Sequence, residues 1–482
     1  MDPRLLDALA DIVGWQYVHS GPAERVAYSY DATFQQYPPE AAVSPATTEQ
    51  VAAVLRLAHQ AEVPIIPRGS GTGLAGGIIP TTGSLVLNLA RLRNRLEIDV
   101  ANSVAVVDAG VVTADLQRAA EAQGLFYPPD PASLNQSSIG GNAATNAGGP
   151  RCLKYGVTKD YVLGMTVVLA DGRVLRLGGR VMKNATGYQL AQLFVGSEGT
   201  LGVITELILR LLPLPRVRRT AAAFFPSVEG AGKAVGAILQ AGVLPVTIEL
   251  MDQTTIGVVE DALGLGLPRE AAALLLIEQD GNDATAVEAD MALAIAACRE
   301  LGAERVDVAR TNEEREALWR ARRAVSGALG RLRPNKLGED IVVPRAAIPE
   351  MLRRIQAISA EHDLPIPVFG HAGDGNLHPN ILFDKRNEGE LARVEAAAAD
   401  IFRSALALGG TLSGEHGIGT LKREFLEEDM GAEAVEVMRQ IKAALDPKGI
   451  LNPQKVFPQH GSGPAPAGFL AALPILSDAT PG

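Results

Sequence analysis

A single dipeptide constrains the local fold more strongly than any other feature of this chain. Asp374 and Gly375 stand between two apolar runs, which is the strongest short-range signal for a β-hairpin. With these two residues as the loop, the expected register sets His371 opposite His378, with their Cβ atoms roughly 5 Å apart on one face. That separation suits two imidazoles closing on one divalent cation. The hairpin is therefore the first candidate metal site.

A second reactive pair lies downstream, in the glycine-rich segment 409–419. Glu415 and His416 are adjacent there, where glycines let backbone and ligand approach closely. Only seven histidines occur in the chain, and three of them fall in these two motifs. We therefore predict a metal site of His371, His378 and Glu415 that leaves open positions for substrate. His416 can then serve as a general base, because an unperturbed histidine has a pKa of about 6.5.

Length and charge narrow the class of protein. A chain of 482 residues can form two or three domains with a large core. The net charge of −11 argues against nucleic-acid binding, which requires basic patches. Cys152 and Cys298 are the only cysteines, and their separation suits neither a metal knuckle nor a redox pair. This cysteine usage is consistent with a reducing cytosol.

The two ends of the chain bear on its localisation. Residues 2–10 are charged and helix-like, unlike a signal peptide, and no apolar run reaches the roughly 20 residues of a membrane span. We expect a cytoplasmic protein, with at most peripheral association at the inner face of a membrane. The tail, residues 461–482, is rich in Pro, Ala and Gly and is expected to be flexible. Its apolar stretch, residues 469–476, is alternatively a docking segment.

Three glycine-rich segments in the N-terminal half predict a large ligand wrapped by several loops. Residues 68–77 include the G-x-G-x-x-G spacing of a dinucleotide fingerprint, at 71–76. The expected strand 84–89 follows in place of the required helix, so we do not expect a standard Rossmann unit. The loop can still present backbone N–H groups to a diphosphate. Segments 131–149 and 195–205 are similarly rich in glycine and polar groups, although each alone could be a simple turn.

Five motifs carry a family resemblance. They comprise residues 67–72, 138–142, 196–202, 370–378 and 414–417. Together they resemble FAD-linked 2-hydroxyacid dehydrogenases of the vanillyl-alcohol oxidase/p-cresol methylhydroxylase flavoprotein superfamily. Within it, the flavin subunit of bacterial glycolate oxidase and the D-lactate dehydrogenases are the most similar. The resemblance extends from about residue 43 to residue 456.

The resemblance implies an α+β fold with a two-part FAD-binding domain of the p-cresol methylhydroxylase type. This domain would comprise residues 1–215 and a returning C-terminal segment, 425–460. Residues 216–424 would form an α+β substrate or cap domain, in which helices cover an antiparallel sheet. Some relatives attach FAD through a histidine where this chain has Ser70, Gly71 and Thr72, so we expect non-covalent FAD. The residues implied to contact FAD are Pro67, Arg68, Gly69, Ser70, Gly71, Thr72, Gly73, Ser138, Gly140, Gly141, Asn142, Glu198, Gly199, Gly202, Ile204 and Asn452.

The resemblance also implies an activity, the oxidation of glycolate or D-lactate to the 2-oxo acid by hydride transfer to flavin N5. A divalent Zn, Mn or Fe ion on His371, His378 and Glu415 would lower the pKa of the substrate hydroxyl, and His416 would take its proton.

The substrate carboxylate needs a cationic side chain to bind it, and the reduced flavin needs an electron acceptor. The resemblance points to Arg322 as the carboxylate-binding residue, with Lys336 as the next candidate, because a guanidinium matches a carboxylate in a bidentate geometry. The expected electron acceptor is a quinone, a cytochrome or an iron–sulfur subunit.

Several alternatives stay open at this point. The substrate could be D-2-hydroxyglutarate, or the chain could be the FAD subunit of a glycolate oxidase that is inactive without its partners. Another flavoenzyme on the same FAD domain, such as an aryl-alcohol oxidase or a cell-wall reductase, would leave the histidine motifs unexplained. A metal-dependent hydrolase would explain the histidines but not the glycine segments. The remaining alternatives are a non-catalytic electron-transfer subunit, and turn histidines bonded only to the backbone.

Overall fold

The computed structural model describes residues 1–33 and 35–459. The expected flexible tail, 461–482, with its apolar stretch 469–476, lies outside the described residues. The chain divides into two compact units. Among the described residues, the first unit comprises Met1–Ala147, Val157–Leu214 and residues 415–459, and the second comprises Gly148–Gly156 and Pro215–Gly414.

The strands, in chain order, are β1 (Val18–His19), β2 (Ala41–Val43), β3 (Ile65–Arg68), β4 (Leu85–Asn88), β5 (Leu96–Asp99), β6 (Val104–Asp108), β7 (Leu125–Phe126), β8 (Val162–Val168), β9 (Val174–Gly178), β10 (Val203–Arg210), β11 (Leu212–Pro213), β12 (Val217–Phe225), β13 (Thr247–Asp252), β14 (Ala273–Gly281), β15 (Arg305–Val308), β16 (Asn335–Gly338), β17 (Ile341–Val342), β18 (Val368–His371) and β19 (Asn376–Phe383).

The α-helices are α1 (Pro3–Val13), α2 (Pro22–Ala27), α3 (Thr48–Ala61), α4 (Thr113–Glu121), α5 (Ile139–Thr145), α6 (Cys152–Tyr155), α7 (Leu190–Phe194), α8 (Val228–Gln240), α9 (Gln253–Leu263), α10 (Ala284–Glu300), α11 (Asn312–Leu329), α12 (Ile348–His362), α13 (Glu388–Ala407), α14 (Leu426–Met430) and α15 (Ala432–Leu445). Short 3₁₀ turns lie at Trp15–Tyr17, Thr158–Tyr161, Arg345–Ala347 and Arg423–Phe425.

The first unit is built on two main sheets. A four-stranded sheet has the order β1-β2-β4-β3, and its β2 and β3 both run parallel to β4. An antiparallel five-stranded sheet has the order β5-β6-β10-β8-β9, and β7 pairs with β11. Helix α3 buries Val51, Val54, Leu55 and Ala58, a helical spacing that presents one apolar face to the core. Residues 71–84 contain no helix, which is why this unit is not a Rossmann unit.

The second unit is an antiparallel sheet covered by helices. The strand order is β15-β12-β14-β13-β18-β19-β16, and β17 also pairs with β19. Every β14 residue from Ala273 to Asp280 is buried, as expected for a strand covered on both faces. The segment Gly148–Gly156 belongs to this unit because Lys154 Nζ donates to Asp280 Oδ1 at 2.6 Å. Tyr155 donates its hydroxyl to the same carboxylate.

Helix α11 closes one face of this sheet. Thr311 and Glu314 form a capping box at its N-terminus, which satisfies two backbone N–H groups. Val325 and Leu329 then pack into the core against the sheet, and burying such side chains contributes roughly 1.5–3 kcal/mol each. Arg322 stands three and seven residues before these two, so it lies on the same buried helical face.

Among the helices of the described residues, none combines the length and the apolar composition that crossing a membrane would require.

Candidate active site

The three glycine-rich segments line one cavity within the first unit. Apart from Asn452, every residue that the resemblance assigns to FAD contact lies in its wall. The FAD contacts themselves stay predictions. These wall residues are Pro67, Arg68, Gly69, Ser70, Gly71, Thr72, Gly73, Ser138, Gly140, Gly141, Asn142, Glu198, Gly199, Gly202 and Ile204.

The first two segments approach each other too closely for larger side chains. A Cβ atom on Gly69 would lie 2.5 Å from the Ser138 hydroxyl oxygen. The second segment is also close to the chain after β6, since a Cβ on Gly140 would lie 2.5 Å from the Ala109 Cβ. Ser138 also caps α5, since its Oγ accepts from the Gly141 backbone N–H at 3.3 Å. The sequence did not predict this helix, because its small residues carry no apolar periodicity.

The C-terminal part of the chain returns to the same cavity. The buried Glu198 carboxylate accepts from the backbone N–H groups of Ile418 at 2.7 Å and Gly419 at 2.9 Å. Burial raises the pKa of Glu198. Asn452 Nδ2 donates to the backbone oxygens of Gly77 and Glu198, at 2.8 and 2.7 Å. Asn452 thus ties two cavity loops together rather than lining the wall, and its expected place beside the isoalloxazine stays a prediction.

Glu415 and His416 line this cavity as well. Glu415 Oε1 lies 3.8 Å from His416 Nε2, and both side chains are largely buried. The first unit therefore brings the predicted base, and the predicted carboxylate ligand, into the wall of the glycine-rich cavity. This placement is not apparent from the FAD motifs alone, because more than 200 residues separate them from Glu198.

The predicted hairpin forms in the second unit, but its predicted register is wrong. Strands β18 and β19 pair with His371 opposite Asn376 and with Phe369 opposite His378. The loop therefore contains four residues, 372–375, instead of two. The two imidazoles are diagonal neighbours rather than a directly opposed pair.

Strand β13 explains this register. His371 pairs with Glu249 on β13, and the Gly373 N–H donates to the Ile248 oxygen at 3.0 Å, so Gly373 cannot take part in the hairpin ladder. A slip of two residues keeps each side chain on its original face, whereas a slip of one would reverse it. His371 and His378 therefore still lie close together on one face, although the register differs from the predicted one.

The two imidazoles are buried beside each other. The ring centroids of His371 and His378 are 5.1 Å apart, with the planes nearly perpendicular. A ring nitrogen of one lies within 4.8 Å of a ring nitrogen of the other. Phe369 packs against His378 with centroids 5.4 Å apart, which holds that ring in place.

A buried carboxylate that the sequence analysis missed joins His371 to Arg322. Glu249 Oε1 lies 2.6 Å from His371 Nδ1, and Glu249 Oε2 accepts from Arg322 Nε at 2.5 Å. Burial alone would raise the pKa of Glu249, but the neighbouring Arg322 and His371 outweigh it and lower that pKa to about 2. No local signal marks Glu249, because it lies in an apolar strand 122 residues before His371.

Lys336 lies on the same face of the sheet. It pairs with β19 at a position four residues beyond His378, and an even separation along a strand keeps side chains on one face. Its ammonium bonds to the Ser326 hydroxyl on α11, one helical turn after Arg322. Burial lowers the pKa of Lys336. The second unit thus brings Arg322, Lys336 and both histidines to one sheet face.

Asp340 connects the histidine strand to the end of the second unit. Its Oδ1 accepts from Asn376 Nδ2 at 2.6 Å and lies 3.9 Å from His378 Nδ1. Its Oδ2 accepts from the Ser413 hydroxyl at 2.6 Å and from the Gly414 N–H at 3.0 Å. The chain continues from Gly414 directly into Glu415.

The donor sets fit both groups that the resemblance implies. Two imidazoles and a carboxylate suit a catalytic divalent cation, and because Glu249 bonds to Nδ1 of His371, Nε2 is the nitrogen of that ring that would ligate the cation. The glycine cradle, where a Cβ on Gly69 would meet Ser138, suits the close backbone approach that a diphosphate requires.

Comparisons with known proteins agree with this description. Residues 214–456 match the family model for the C-terminal domain of FAD-linked oxidases, and residues 39–178 match the model for an FAD-binding domain. The glycolate oxidase subunit GlcD of Bacillus subtilis (strain 168) is 48% identical, over 94% of this chain and 96% of the relative. A D-lactate dehydrogenase of Archaeoglobus fulgidus is 39% identical, over 89% of this chain and 95% of the relative.

Two solved structures share the fold. p-Cresol methylhydroxylase with substrate bound gives a TM-score of 0.80 at 18% identity, covering 95% of this chain and 98% of that one. The 4-ethylphenol oxidase of Gulosibacter chungangensis gives 0.78 at 20% identity, covering 95% and 97%. The expected p-cresol methylhydroxylase type of fold is thereby confirmed. With half of its length matched by one family model, and with relatives similar over nearly their whole length, the chain belongs to the FAD-linked oxidases and is an FAD-dependent oxidoreductase.

Proposed function

We propose that this chain oxidises a small D-2-hydroxy acid, glycolate or D-lactate, to the 2-oxo acid. The observation that carries the proposal is that Arg322, His371 and His378 lie on one sheet face, where buried Glu249 links Arg322 to His371 and the His378 ring packs against that of His371. A 2-hydroxy acid offers a carboxylate and a hydroxyl on adjacent carbons. A guanidinium beside two metal-ligating imidazoles matches both groups. The printed names of the relatives, glycolate oxidase subunit and D-lactate dehydrogenase, support the same substrate class.

In this proposal the metal ligands are His371, His378 and Glu415. Chain connectivity supports Glu415 as the third ligand, since the preceding residue, Gly414, donates its N–H to Asp340, and Asp340 lies 3.9 Å from His378. When bound, FAD supplies the two-electron oxidant, and the cation supplies a Lewis acid at the substrate hydroxyl.

The remaining chemistry belongs to the side chains. His416 takes the hydroxyl proton, and its place in the wall of the glycine-rich cavity supports that role. Arg322 holds the carboxylate and orients the carbon that loses hydrogen. Fixing the substrate at both groups restricts its motion, which is a large part of what binding contributes to rate.

The name of the bacterial relatives as subunits supports an assembly in which this chain passes its electrons to a partner. We propose a quinone, a cytochrome or an iron–sulfur subunit as that acceptor. Co-purification of a redox-active partner with the tagged chain from its own cells would test this part.

A second substrate, D-2-hydroxyglutarate, is favoured by one observation. Lys336 is a second cationic side chain on the sheet face that carries Arg322, and its pKa is lowered by burial. A dicarboxylate such as D-2-hydroxyglutarate would bind one carboxylate to Arg322 and the other to Lys336. Lower KM for D-2-hydroxyglutarate than for D-lactate would favour this alternative.

The test follows the reductive half-reaction, in which the substrate reduces the bound flavin before any electron passes to an acceptor. Purified protein carrying FAD and metal is mixed anaerobically with glycolate, D-lactate, D-2-hydroxyglutarate or L-lactate, and the flavin absorbance is followed. We expect glycolate or D-lactate to bleach the yellow colour and L-lactate to leave it. Yellow protein that none of these acids bleaches would overturn the proposal.

A further inference from the structure

One carboxylate in the second unit bonds to two functional side chains at once. Glu249 is fully buried, and its two oxygens bond to different functional side chains: Oε1 to His371 Nδ1 at 2.6 Å and Oε2 to Arg322 Nε at 2.5 Å. Oε1 also accepts from the Thr247 hydroxyl at 3.1 Å. The proposed function assigns His371 and Arg322 to different groups, the imidazole to the metal and the guanidinium to the substrate carboxylate. Because Glu249 is buried and its oxygens are engaged by these side chains, we do not expect it to contact the metal or the substrate carboxylate itself.

We propose that Glu249 is a positioning residue that couples the metal site to the substrate-carboxylate site. This inference rests on the proposed function. It makes Glu249 responsible for both metal affinity and substrate affinity, although it touches neither ligand. Removal of its charge is therefore expected to weaken two binding events that involve different atoms.

Toward His371, the carboxylate fixes the tautomer. A carboxylate accepts hydrogen bonds and does not donate, so the proton of the neutral ring resides on Nδ1, and Nε2 keeps the lone pair that a cation needs. Partners of this kind orient metal-binding histidines and make them more basic, and their loss typically costs about 10- to 100-fold in metal affinity.

Toward Arg322, the same carboxylate fixes the direction of the guanidinium. Glu249 bonds to Nε, so this hydrogen bond does not use the end of the guanidinium that carries the two terminal nitrogens. The guanidinium carbon lies 4.7 Å from the centroid of the Phe369 ring, which gives the group a second support. The same Phe369 packs against His378, so the guanidinium and both imidazoles share a single packed cluster.

Glutamine at this position cannot satisfy both partners. Its amide has one acceptor oxygen and one donor NH₂, whereas Nδ1 of His371 and Nε of Arg322 both need acceptors. If the NH₂ faces His371, the ring must accept at Nδ1 and carry its proton on Nε2, which blocks the metal. If the NH₂ faces Arg322, two donors oppose each other and the guanidinium must turn.

A matched control exists in the same sheet. Glu278 on β14 is also a buried glutamate, but it accepts from Trp319 Nε1 at 2.7 Å and from the Thr220 hydroxyl at 2.8 Å. Glu278→Gln removes a comparable buried charge without touching His371 or Arg322. Any effect of Glu278→Gln on Zn²⁺ affinity or KM therefore measures the structural effect of neutralising a buried glutamate in this sheet.

The experiment measures Zn²⁺ affinity and substrate KM on the flavin-loaded protein. Metal is stripped with a chelator, Zn²⁺ is titrated back by competition with a chromogenic chelator, and KM for D-lactate is measured with a dye acceptor. For Glu249→Gln we expect about 10- to 100-fold weaker Zn²⁺ binding, together with a raised KM at saturating Zn²⁺. Glu278→Gln should change neither value by more than a factor of two or so.

His371→Ala distinguishes failure of the coupling role of Glu249 from failure of the proposed metal site. Loss of Zn²⁺ in His371→Ala with wild-type Zn²⁺ affinity and KM in Glu249→Gln would overturn the coupling role alone. Wild-type Zn²⁺ affinity in His371→Ala would overturn the proposed metal site and the coupling role with it. Should Glu249→Gln fail to fold, Glu249→Asp carries the same test, since it keeps the charge but is too short to reach both partners.

Discussion

Arg322 bonds to Glu249 and, in the proposed function, also holds the substrate carboxylate, and this determines how its role can be tested. It pairs with buried Glu249, so Arg322→Ala would remove the cationic partner of Glu249 Oε2 and leave this carboxylate with His371 alone as an ionisable partner, at a cost to stability of about 3–5 kcal/mol. Loss of activity in that variant would report misfolding as readily as lost substrate binding. Arg322→Lys keeps the charge and removes only the planar fork.

For Arg322→Lys we predict a folded, yellow protein whose KM for D-lactate is raised about 10- to 100-fold, because a hydrogen bond to a charged group is worth roughly 1.5–3 kcal/mol. Steady-state kinetics with a dye acceptor measure this change. Arg320→Lys is the control, since it makes the same substitution at an exposed position of α11. An unchanged KM in Arg322→Lys would remove Arg322 from the substrate site.

His416 is expected to act only in chemistry. In His416→Ala we predict unchanged FAD and metal content, with flavin reduction by D-lactate slowed about 10²- to 10⁴-fold, the usual contribution of a general base. Anaerobic stopped-flow absorbance measures the rate. His59→Ala, in the last turn of α3, is the control and should reduce at the wild-type rate. Flavin reduction at the wild-type rate in His416→Ala would contradict the assigned base.

The hairpin that carries the histidines depends on its four-residue loop. Gly375 has a φ of +90°, and a Cβ there would lie 2.1 Å from the Val343 oxygen. We predict that Gly375→Ala lowers the melting temperature and the Zn²⁺ affinity together, because the backbone next to the histidine strands must move. Differential scanning fluorimetry and Zn²⁺ titration measure the two effects.

Gly236→Ala is the control for this loop. It stands in helix α8, where a Cβ meets nothing within 4 Å, and the change should stabilise the protein by up to about 1 kcal/mol. A melting temperature for Gly375→Ala equal to that of the wild type would show that the loop geometry is not needed.

At the level of elements, the sequence indicated which segments turn but not how they pair. Asp374-Gly375 correctly marked a hairpin, yet the register depends on Gly373 bonding to Ile248 on a strand more than a hundred residues away. Helix α5 escaped prediction because its glycines and alanines have no apolar stripe; a serine cap and packing against Ala109 define it instead. Local signals place turns, whereas distant strands select the register.

At the scale of the molecule, a buried ammonium links stability to pH. Burial and the nearby Arg423 lower the pKa of Lys455 to about 7. In the unfolded chain that pKa is about 10.4, so between about pH 7 and pH 10 the unfolded state binds more protons, and stability rises with pH. The contribution of Lys455 to the free energy of unfolding is therefore lowest below pH 7.

We predict that Lys455→Met removes this dependence. The difference in unfolding free energy, variant minus wild type, should be constant below pH 7 and then fall by up to about 1.4 kcal/mol per pH unit as the pH rises to 9. Urea titrations at a series of pH values measure it. Lys448→Met, at a partly exposed lysine of the same segment, is the control. A difference that does not vary from pH 6 to pH 9 would contradict a lowered pKa in the native state.

Contacts between residues far apart in the chain could not be predicted from the sequence. Family motifs identified the FAD fold and, apart from Asn452, residues that line one cavity. They could not reveal that Gly148–Gly156 belongs to the second unit, since its contact with Asp280 spans about 126 residues. Nor could they reveal Glu249, whose partners are set by sheet register and by the packing of α11. Both depend on non-local contacts that leave no periodicity in the chain.

In the proposed function, a cation held by His371 and His378 and a bound flavin act on the same 2-hydroxy acid. The most direct measurement is the anaerobic rate of flavin reduction by D-lactate or glycolate, before metal removal, after chelation and after Zn²⁺ or Mn²⁺ is restored. We predict that chelation leaves FAD bound and abolishes bleaching by both acids, and that one of the two ions restores the bleaching. Bleaching at the full rate in metal-free protein would contradict a role of the metal in the reaction.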